Sequence, residues 1–277
     1  MNRVDLRAPF DRLWEGRDPF AELSALTGRE YRSVKNRRTV RIEVDGKGFF
    51  VKMHRGIGWR EIFKNLLQFK LPAIGAAGEY RALEKLKAIG VPTMEIAGFG
   101  ERGNDPARRE SFLITRELTG TVSLEDLALS HRFSPVGRLR IIRALGTSCG
   151  TMHRAGINHR DCYLCHYLLH LDTAESPQVR LSVIDLHRAQ IRRRVPFRYR
   201  VKDVAGLLFS AFDLPLRRSD VWRFLRAYRD GGSLRAMLRD EGRFLRAVHR
   251  TARRLYFREF HKYPANDPFF REKGSVR

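Results

Sequence analysis

Apolar positions follow two regimes along the chain. Over the first 55 residues they fall in short runs, Glu30–Val34, Thr39–Val44 and Phe49–Met53, each rich in β-branched and aromatic residues, and the pattern predicts β-strands. Asp45-Gly46-Lys47-Gly48 between the last two runs is a hairpin signal. Trp59–Phe69 and Ala76–Ile89 carry apolar residues at helical spacing, and Gly90-Val91-Pro92 stops the second of them. Phe112–Ile114 is a further strand candidate. From Ser123 onward the pattern is mostly helical. Leu139–Ala155 predicts a long helix with Leu139, Ile142, Leu145, Cys149 and Met152 on one face, ending at Gly156. Two short strands follow, Tyr167–Leu171 and Arg180–Ile184, and then helix over Asp203–Phe212 and Ser219–His261. The order is a small β-rich half with one or two helices, then a larger helical half: an α+β arrangement with the division expected between residues 1–118 and 119–277.

Composition narrows the class. Of 277 residues, 43% are hydrophobic and 10% aromatic, which excludes a disordered tail, a fibrous repeat and a disulfide mini-protein. A chain of this size buries about three-quarters of its unfolded surface, enough for one large domain or two lobes sharing a cleft. The longest nearly apolar stretch, Val204–Phe212, is far shorter than the roughly 20 residues of a spanning helix. The N-terminal MNRVDLRAPFDRLWEGRD mixes both charge signs and builds no apolar signal region. With only Cys149, Cys162 and Cys165 present, the expectation is a reducing cytosol and no disulfide framework.

Charge changes the picture further. The formal net charge is +23, and 44 of the 54 basic residues are Arg. Residues 188–277 hold 24 Lys and Arg against 9 Asp and Glu. Such a balance suits nucleic acid, an anionic membrane surface, or an acidic protein or substrate, and charge alone does not choose among them.

The chemistry concentrates in Met152–His170. His159-Arg160-Asp161 followed by a short apolar strand has the form of a phosphotransferase catalytic loop, and His153-x-x-Gly156-Ile157 supplies the helix-to-loop turn before it. An Asp in such a loop accepts the proton of an attacking hydroxyl and orients it. The strand Leu181–Ile184 is followed by Asp185-Leu186-His187, a carboxylate where kinase folds hold Mg²⁺ between phosphate oxygens, with Asp-Leu-His in place of Asp-Phe-Gly. In the β-rich half, Phe49-Phe50-Val51-Lys52 sets a lysine on a strand, where it could hold the α/β-phosphates of a nucleotide. Glu79, on the second helix, is its candidate partner, although the helix Trp59–Phe69 intervenes. The segment before Lys52 contains no G-x-G-x-x-G loop. The first hairpin turn reads Val34-Lys-Asn-Arg-Arg38, so phosphate cover would rely on basic side chains. Cys162-Tyr-Leu-Cys165-His166 matches the haem-attachment spacing, but no export signal accompanies it and no second C-x-x-C completes a zinc site. The cysteines are expected to pack as small hydrophobes behind the loop.

These strings resemble one family. Ile157-Asn-His-Arg-Asp-Cys-Tyr-Leu-Cys-His-Tyr-Leu-Leu-His170, Leu181-Ser-Val-Ile-Asp-Leu-His-Arg-Ala-Gln190, Lys202-Asp-Val-Ala-Gly-Leu-Leu208 and Phe49-Phe-Val-Lys-Met-His-Arg-Gly-Ile-Gly-Trp59 are similar to the lipopolysaccharide core heptose(I) kinases, and the similarity runs from about Arg12 to Tyr263. The resemblance implies a protein-kinase-like, two-lobed fold whose small β-rich N-lobe covers the nucleotide. It implies ATP- and Mg²⁺-dependent phosphorylation of the first heptose of the inner core on a lipid A-linked acceptor, with Asp161 as catalytic base. It places the enzyme in the cytoplasm, peripheral at the inner face of the inner membrane, and suggests the anionic membrane surface and an acyl carrier protein as partners, with no nucleic acid. Where protein kinases carry a metal-binding Asn, this chain has His166. Imidazole suits Mg²⁺ poorly, so Asp185 is expected to hold the metal and His166 to contact phosphate or reach the metal only weakly. Asp203 is expected to anchor the catalytic loop from the following helix.

Two other functions compete. A non-catalytic basic protein, either a pseudokinase scaffold or an RNA binder, would not need Lys52, Asp161 and Asp185 in order, and an RNA binder should interleave aromatic platforms with its basic residues. A kinase for another small hydroxylated substrate shares every phosphoryl-transfer part, and only the family resemblance separates it.

Overall fold

The computed structural model describes residues 2–26, 29–34, 36–67, 75–130 and 134–269. They form two compact units. The first comprises residues 1–85, 94–119 and 185–188, and the second comprises residues 86–93, 120–184 and 189–277.

The first unit is built on an antiparallel sheet. Its elements are β1 (Arg3–Leu6), α1 (Phe10–Leu13), α2 (Pro19–Ala25), β2 (Arg29–Val34), β3 (Arg37–Val44), β4 (Lys47–His54), α3 (Trp59–Leu67), α4 (Ala77–Ala88), β5 (Ile96–Arg102) and β6 (Glu110–Arg116). The six strands are ordered β1-β5-β6-β4-β3-β2. The Asp45-Gly46 turn joins β3 to β4 in the expected hairpin, with both residues at positive φ. Phe49 and Val51 alternate into one face of the sheet, where they pack with Phe112 and Ile114 against Phe10, Trp14 and Leu23. Lys52 has the opposite parity and therefore leaves that core.

Several elements of this unit were not legible in the hydrophobic pattern. β1 carries charges at alternate positions, and α1 and α2 are each under two and a half turns. α2 forms because Asp18 caps it, its side chain accepting the Phe20 N–H at 3.0 Å, with Pro19 in the first turn. β5 contains Gly98 and Gly100, which break an apolar reading. Gly100 has a packing reason: a Cβ there would lie 2.4 Å from the Phe112 ring. The expected end of the first helix, Gln68-Phe69, and Lys35 of the first hairpin turn lie outside the described residues.

The second unit contains β7 (Thr121–Ser123), α5 (Leu124–Ser130), α6 (Pro135–Arg154), β8 (Ile157–Asn158), β9 (Tyr167–His170), β10 (Leu181–Val183), β11 (Gln190–Ile191), α7 (Phe197–Ala211), α8 (Arg218–Tyr228) and α9 (Leu234–Phe260). Small sheets β10-β9-β7 and β11-β8 frame the segment between α6 and α7. α6 is the long helix of the apolar pattern. Ser134 caps it through the Gly137 N–H at 2.9 Å, and Gly156 at φ 81° follows its end. α7 begins six residues before the expected Asp203, after Pro196. The stretch Ser219–His261, expected to be helical, is two helices. Asp230, Gly231 and Gly232 adopt positive φ values of 66°, 112° and 95°, and no right-handed helix passes through them. α6 packs on α8 and α7 on α9. Among the described residues no helix is long and apolar enough to cross a membrane.

Candidate active site

The segment His159–His166 is a loop that its neighbours fix by hydrogen bonds. β8 pairs with β11 just before it, and Arg192 donates to the Asn158 side-chain oxygen at 2.8 Å. The chain then turns sharply at Arg160, a non-glycine residue at φ 74°. Asp203 of α7 makes that turn tolerable. Its carboxylate accepts the backbone N–H of His159 at 2.7 Å and of Arg160 at 2.9 Å, and it also meets His153 Nε2 at 3.2 Å. Asp203 is 1% exposed. A buried carboxylate survives there because every contact is a donor. Burial opposes charge on His153, but the Cys149 sulfur and the Asp203 carboxylate outweigh it and raise its pKa. His153 Nδ1 in turn lies 2.8 Å from the Tyr228 hydroxyl on α8. The loop-anchoring place expected for Asp203 is the place it occupies.

Inside the loop, two histidines brace opposite ends. His159 Nε2 donates to the Ile184 carbonyl at 2.9 Å, and His166 Nδ1 donates to the Asp161 carbonyl at 2.7 Å. Their rings are parallel within 2°, with centroids 5.5 Å apart. The Leu164 N–H reaches Ser210 Oγ of α7 at 3.0 Å. The loop lies so close on α7 that a Cβ at Gly206 would come within 2.4 Å of the Cys162 carbonyl oxygen. Asp161 is left half-buried, on a backbone tied down on both sides. Cys149 and Cys162 are buried, as expected of small hydrophobes, and Cys165 is half-buried. Cys162 lies 3.4 Å from the Tyr167 hydroxyl, and burial pushes its thiol well above the usual range, so it is held as the neutral S–H.

The first unit brings Lys52 and Glu79 together. Lys52 Nζ lies 2.5 Å from Glu79 Oε1, although 27 residues and all of α3 separate them in sequence. The strand parity that turns Lys52 out of the aromatic core and the position of Glu79 in the first turn of α4 set the pair. His54, two residues on along β4, is held down to about 4 by burial, helped by the nearby positive charges of Arg37 and Lys52, so it is neutral at pH 7. Asp185 adopts φ 57°, and His187 Nδ1 donates to its Oδ1 at 2.6 Å. Sequence reasoning did not assign His187. Its signal is the 3-10 turn Leu186–Arg188, which folds residue 187 back onto the carboxylate two places earlier.

The donor chemistry suits a hard cation. Mg²⁺ takes one or two carboxylates and completes its shell with water and phosphate oxygens. Asp185 offers such an oxygen, and its carboxylate is oriented by His187 in the way that outer contacts orient metal ligands. Among the described residues there is no cluster of three or more His, Cys, Asp or Glu placed to hold an ion by protein ligands alone.

These parts are a tethered Asp loop, a buried Lys–Glu pair on a strand and helix, and a carboxylate at a strand end. They have counterparts in known proteins. A family model described as the lipopolysaccharide kinase (Kdo/WaaP) family matches residues 21–228. The chain belongs to that family. A lipopolysaccharide core heptose(I) kinase of Pseudomonas aeruginosa is 52% identical over 261 residues, covering 93% of this chain and 97% of its own. A kinase of the same name from Escherichia coli is 44% identical over 264 residues, covering 94% and 99%. Among solved structures, one titled WaaP in complex with acyl carrier protein superposes with a TM-score of 0.79 at 46% identity, covering 92% of this chain and 99% of that one. The fold of this Kdo/WaaP family member is accordingly the α+β, protein-kinase-like one.

Proposed function

We propose that this protein transfers the γ-phosphoryl group of ATP to the first heptose of the lipopolysaccharide inner core, on a lipid A-linked acceptor. The observation that carries the reading is near full-length identity of 52% to a relative named for that reaction. The site geometry is consistent with it at each step. Lys52, its charge held in place by Glu79, binds the α/β-phosphates. Asp185 holds Mg²⁺, which when bound neutralises charge on the phosphate oxygens. Asp161 accepts the proton of the heptose hydroxyl as its oxygen attacks the γ-phosphorus, and ADP leaves. His166, whose Nδ1 donates to the Asp161 carbonyl, is the loop residue that contacts phosphate in this reading. Residues 1–118 act as the nucleotide-covering lobe and residues 119–277 as the catalytic one.

The acceptor sets the location: the enzyme works in the cytoplasm at the inner face of the inner membrane, where the exposed Arg193, Arg194 and Arg198 favour an anionic surface. An acyl carrier protein is the protein partner in this reading. Its acidic surface suits the chain's +23 charge. An apolar cavity of about 250 Å³ in the second unit, lined by Leu124, Leu127, Ile141, Ile142, Leu145 and Leu214 among others, offers room for part of an acyl chain. The test is transfer of labelled γ-phosphate to core lipopolysaccharide lacking that phosphate, with the Asp161→Asn variant as control. Label on the inner-core heptose supports the reading. No transfer to a heptose acceptor by the wild-type enzyme rejects it.

A further inference from the structure

An aromatic strip runs through the second unit from the catalytic loop to an exposed helix end. Tyr163, two residues beyond Asp161, sits 6.2 Å from the His166 ring and 5.9 Å from Phe209 of α7. Phe209 in turn stacks on Phe260, the last residue of α9, with centroids 6.2 Å apart and planes within 15°. Tyr256 backs the outer two rings at 6.1 and 4.6 Å, and its hydroxyl is anchored on Asp213 at 2.6 Å. Tyr163 and Phe209 are half-buried and Phe260 is 46% exposed, while Tyr256 behind them is buried.

Single exposed aromatics are ordinary on protein surfaces. A row of rings in edge-on and stacked contact, whose inner member lies two residues along the loop from Asp161, is a different feature. Its chemistry is specific. A pyranose ring has a face of C–H bonds that packs on an aromatic face, while its hydroxyls stay free at the rim to be held or phosphorylated. Tyr163 belongs to the loop whose backbone fixes Asp161, and its neighbour His166 donates to the Asp161 carbonyl. A sugar stacked on Tyr163 would lie against the loop that carries the base. A bilayer would meet only the outer end of the strip and would leave Tyr163 without a purpose.

We propose that Tyr163, Phe209 and Phe260 form a stacking platform for sugar rings of the acceptor, leading from the exposed end of α9 to Asp161. The proposal rests on the heptose kinase reading for the identity of the sugar, and it makes Tyr163 a specificity-determining contact in that reaction.

The probe is inner-core oligosaccharide freed of lipid and lacking the heptose phosphate. Tyr163→Ala and Phe260→Ala should each raise KM for this oligosaccharide by about tenfold, as loss of one ring contact does, with KM for ATP unchanged. Tyr163→Phe and Phe260→Trp should restore it. Saturation-transfer NMR without ATP should show sugar C–H protons in contact with the wild-type enzyme and weaker contact with Phe260→Ala, an exposed substitution that does not disturb the core. Unaltered KM and saturation transfer in both alanine variants would overturn the platform. So would variants that lose binding to anionic lipid vesicles while keeping wild-type affinity for the lipid-free sugar, since the strip would then be a membrane contact. A wild-type enzyme that shows ring-to-sugar saturation transfer but phosphorylates no heptose would support the platform and reject the heptose kinase reading.

Discussion

Lys52 Nζ and Glu79 Oε1 stand 2.5 Å apart, with side-chain exposures of only 11% and 2%. The two head groups are held against each other out of water. Removing one member of such a pair leaves the other charge buried without compensation. Glu79→Gln should therefore destabilise the protein by about 3 kcal/mol and raise KM for ATP. Thermal unfolding with and without nucleotide checks both. Equal stability to wild type would place Lys52 in water.

Asp161→Asn is isosteric and keeps the loop's backbone contacts at His159, Arg160 and the Asp161 carbonyl. Turnover should fall by about 10²–10⁴, the range of a lost general base, with the unfolding temperature unchanged. Turnover close to wild type would remove Asp161 from the base role.

Asp203 should behave in the opposite way, costing stability first. Asp203→Ala strands the buried His159 N–H, the part-buried Arg160 N–H and a histidine nitrogen, a loss on the order of 3 kcal/mol. Asn is no substitute, since it presents one acceptor and turns an NH₂ toward the second N–H. Hydrogen exchange at His159 and Arg160 should accelerate in both variants. Unchanged protection of those two amides would refute the anchoring role.

His54 predicts an acid limb in the stability profile. Its pKa is held down to about 4 by burial and by neighbouring positive charge. Above about pH 6.5 the folded and unfolded chains both carry it neutral. Between there and pH 4 the unfolded chain takes up a proton that the folded one refuses, so stability falls as pH is lowered through that window, by about 3 kcal/mol at most. His54→Gln should flatten this part of the profile in denaturant titrations. An unchanged slope would mean that other groups carry it.

The basic run at 192–194 divides in two. Arg192 is half-buried, bonded to Asn158 and set over the Tyr199 ring at 4.7 Å, so it braces the catalytic loop. Arg193 and Arg194 are exposed. Replacing only the latter two with Ser should raise KM for the lipid-linked acceptor and weaken its salt dependence, with KM for ATP unmoved, as loss of surface charge screened within about 8–10 Å requires. Identical salt curves for variant and wild type would make these residues a solvated face.

The difference between Arg192 and its neighbours shows where sequence reading ends. Runs of β-branched and aromatic residues around a hairpin turn announced β3 and β4, and the 3.6 period announced α6. The Asp161 loop and Lys52 were legible as local strings. What pairs with them was harder to read: the Glu79 contact crosses a whole helix, and the split of Arg192 from Arg193 depends on which face β11 turns inward. β5 hid behind two glycines whose justification, the Phe112 ring, lies on another strand. The aromatic strip left no local trace, since its rings come from residues 163, 209 and 260 on three separate elements.

The anchoring carboxylate also has a consequence in time. The ribosome makes His159 and Arg160 more than forty residues before Asp203, whose carboxylate holds their N–H groups. A nascent chain that has exposed the whole catalytic string still lacks the acceptor that shapes it. The loop geometry therefore assembles only after α7 has emerged, and a chain stalled or cleaved before that helix carries the His-Arg-Asp string without the contacts that fix it.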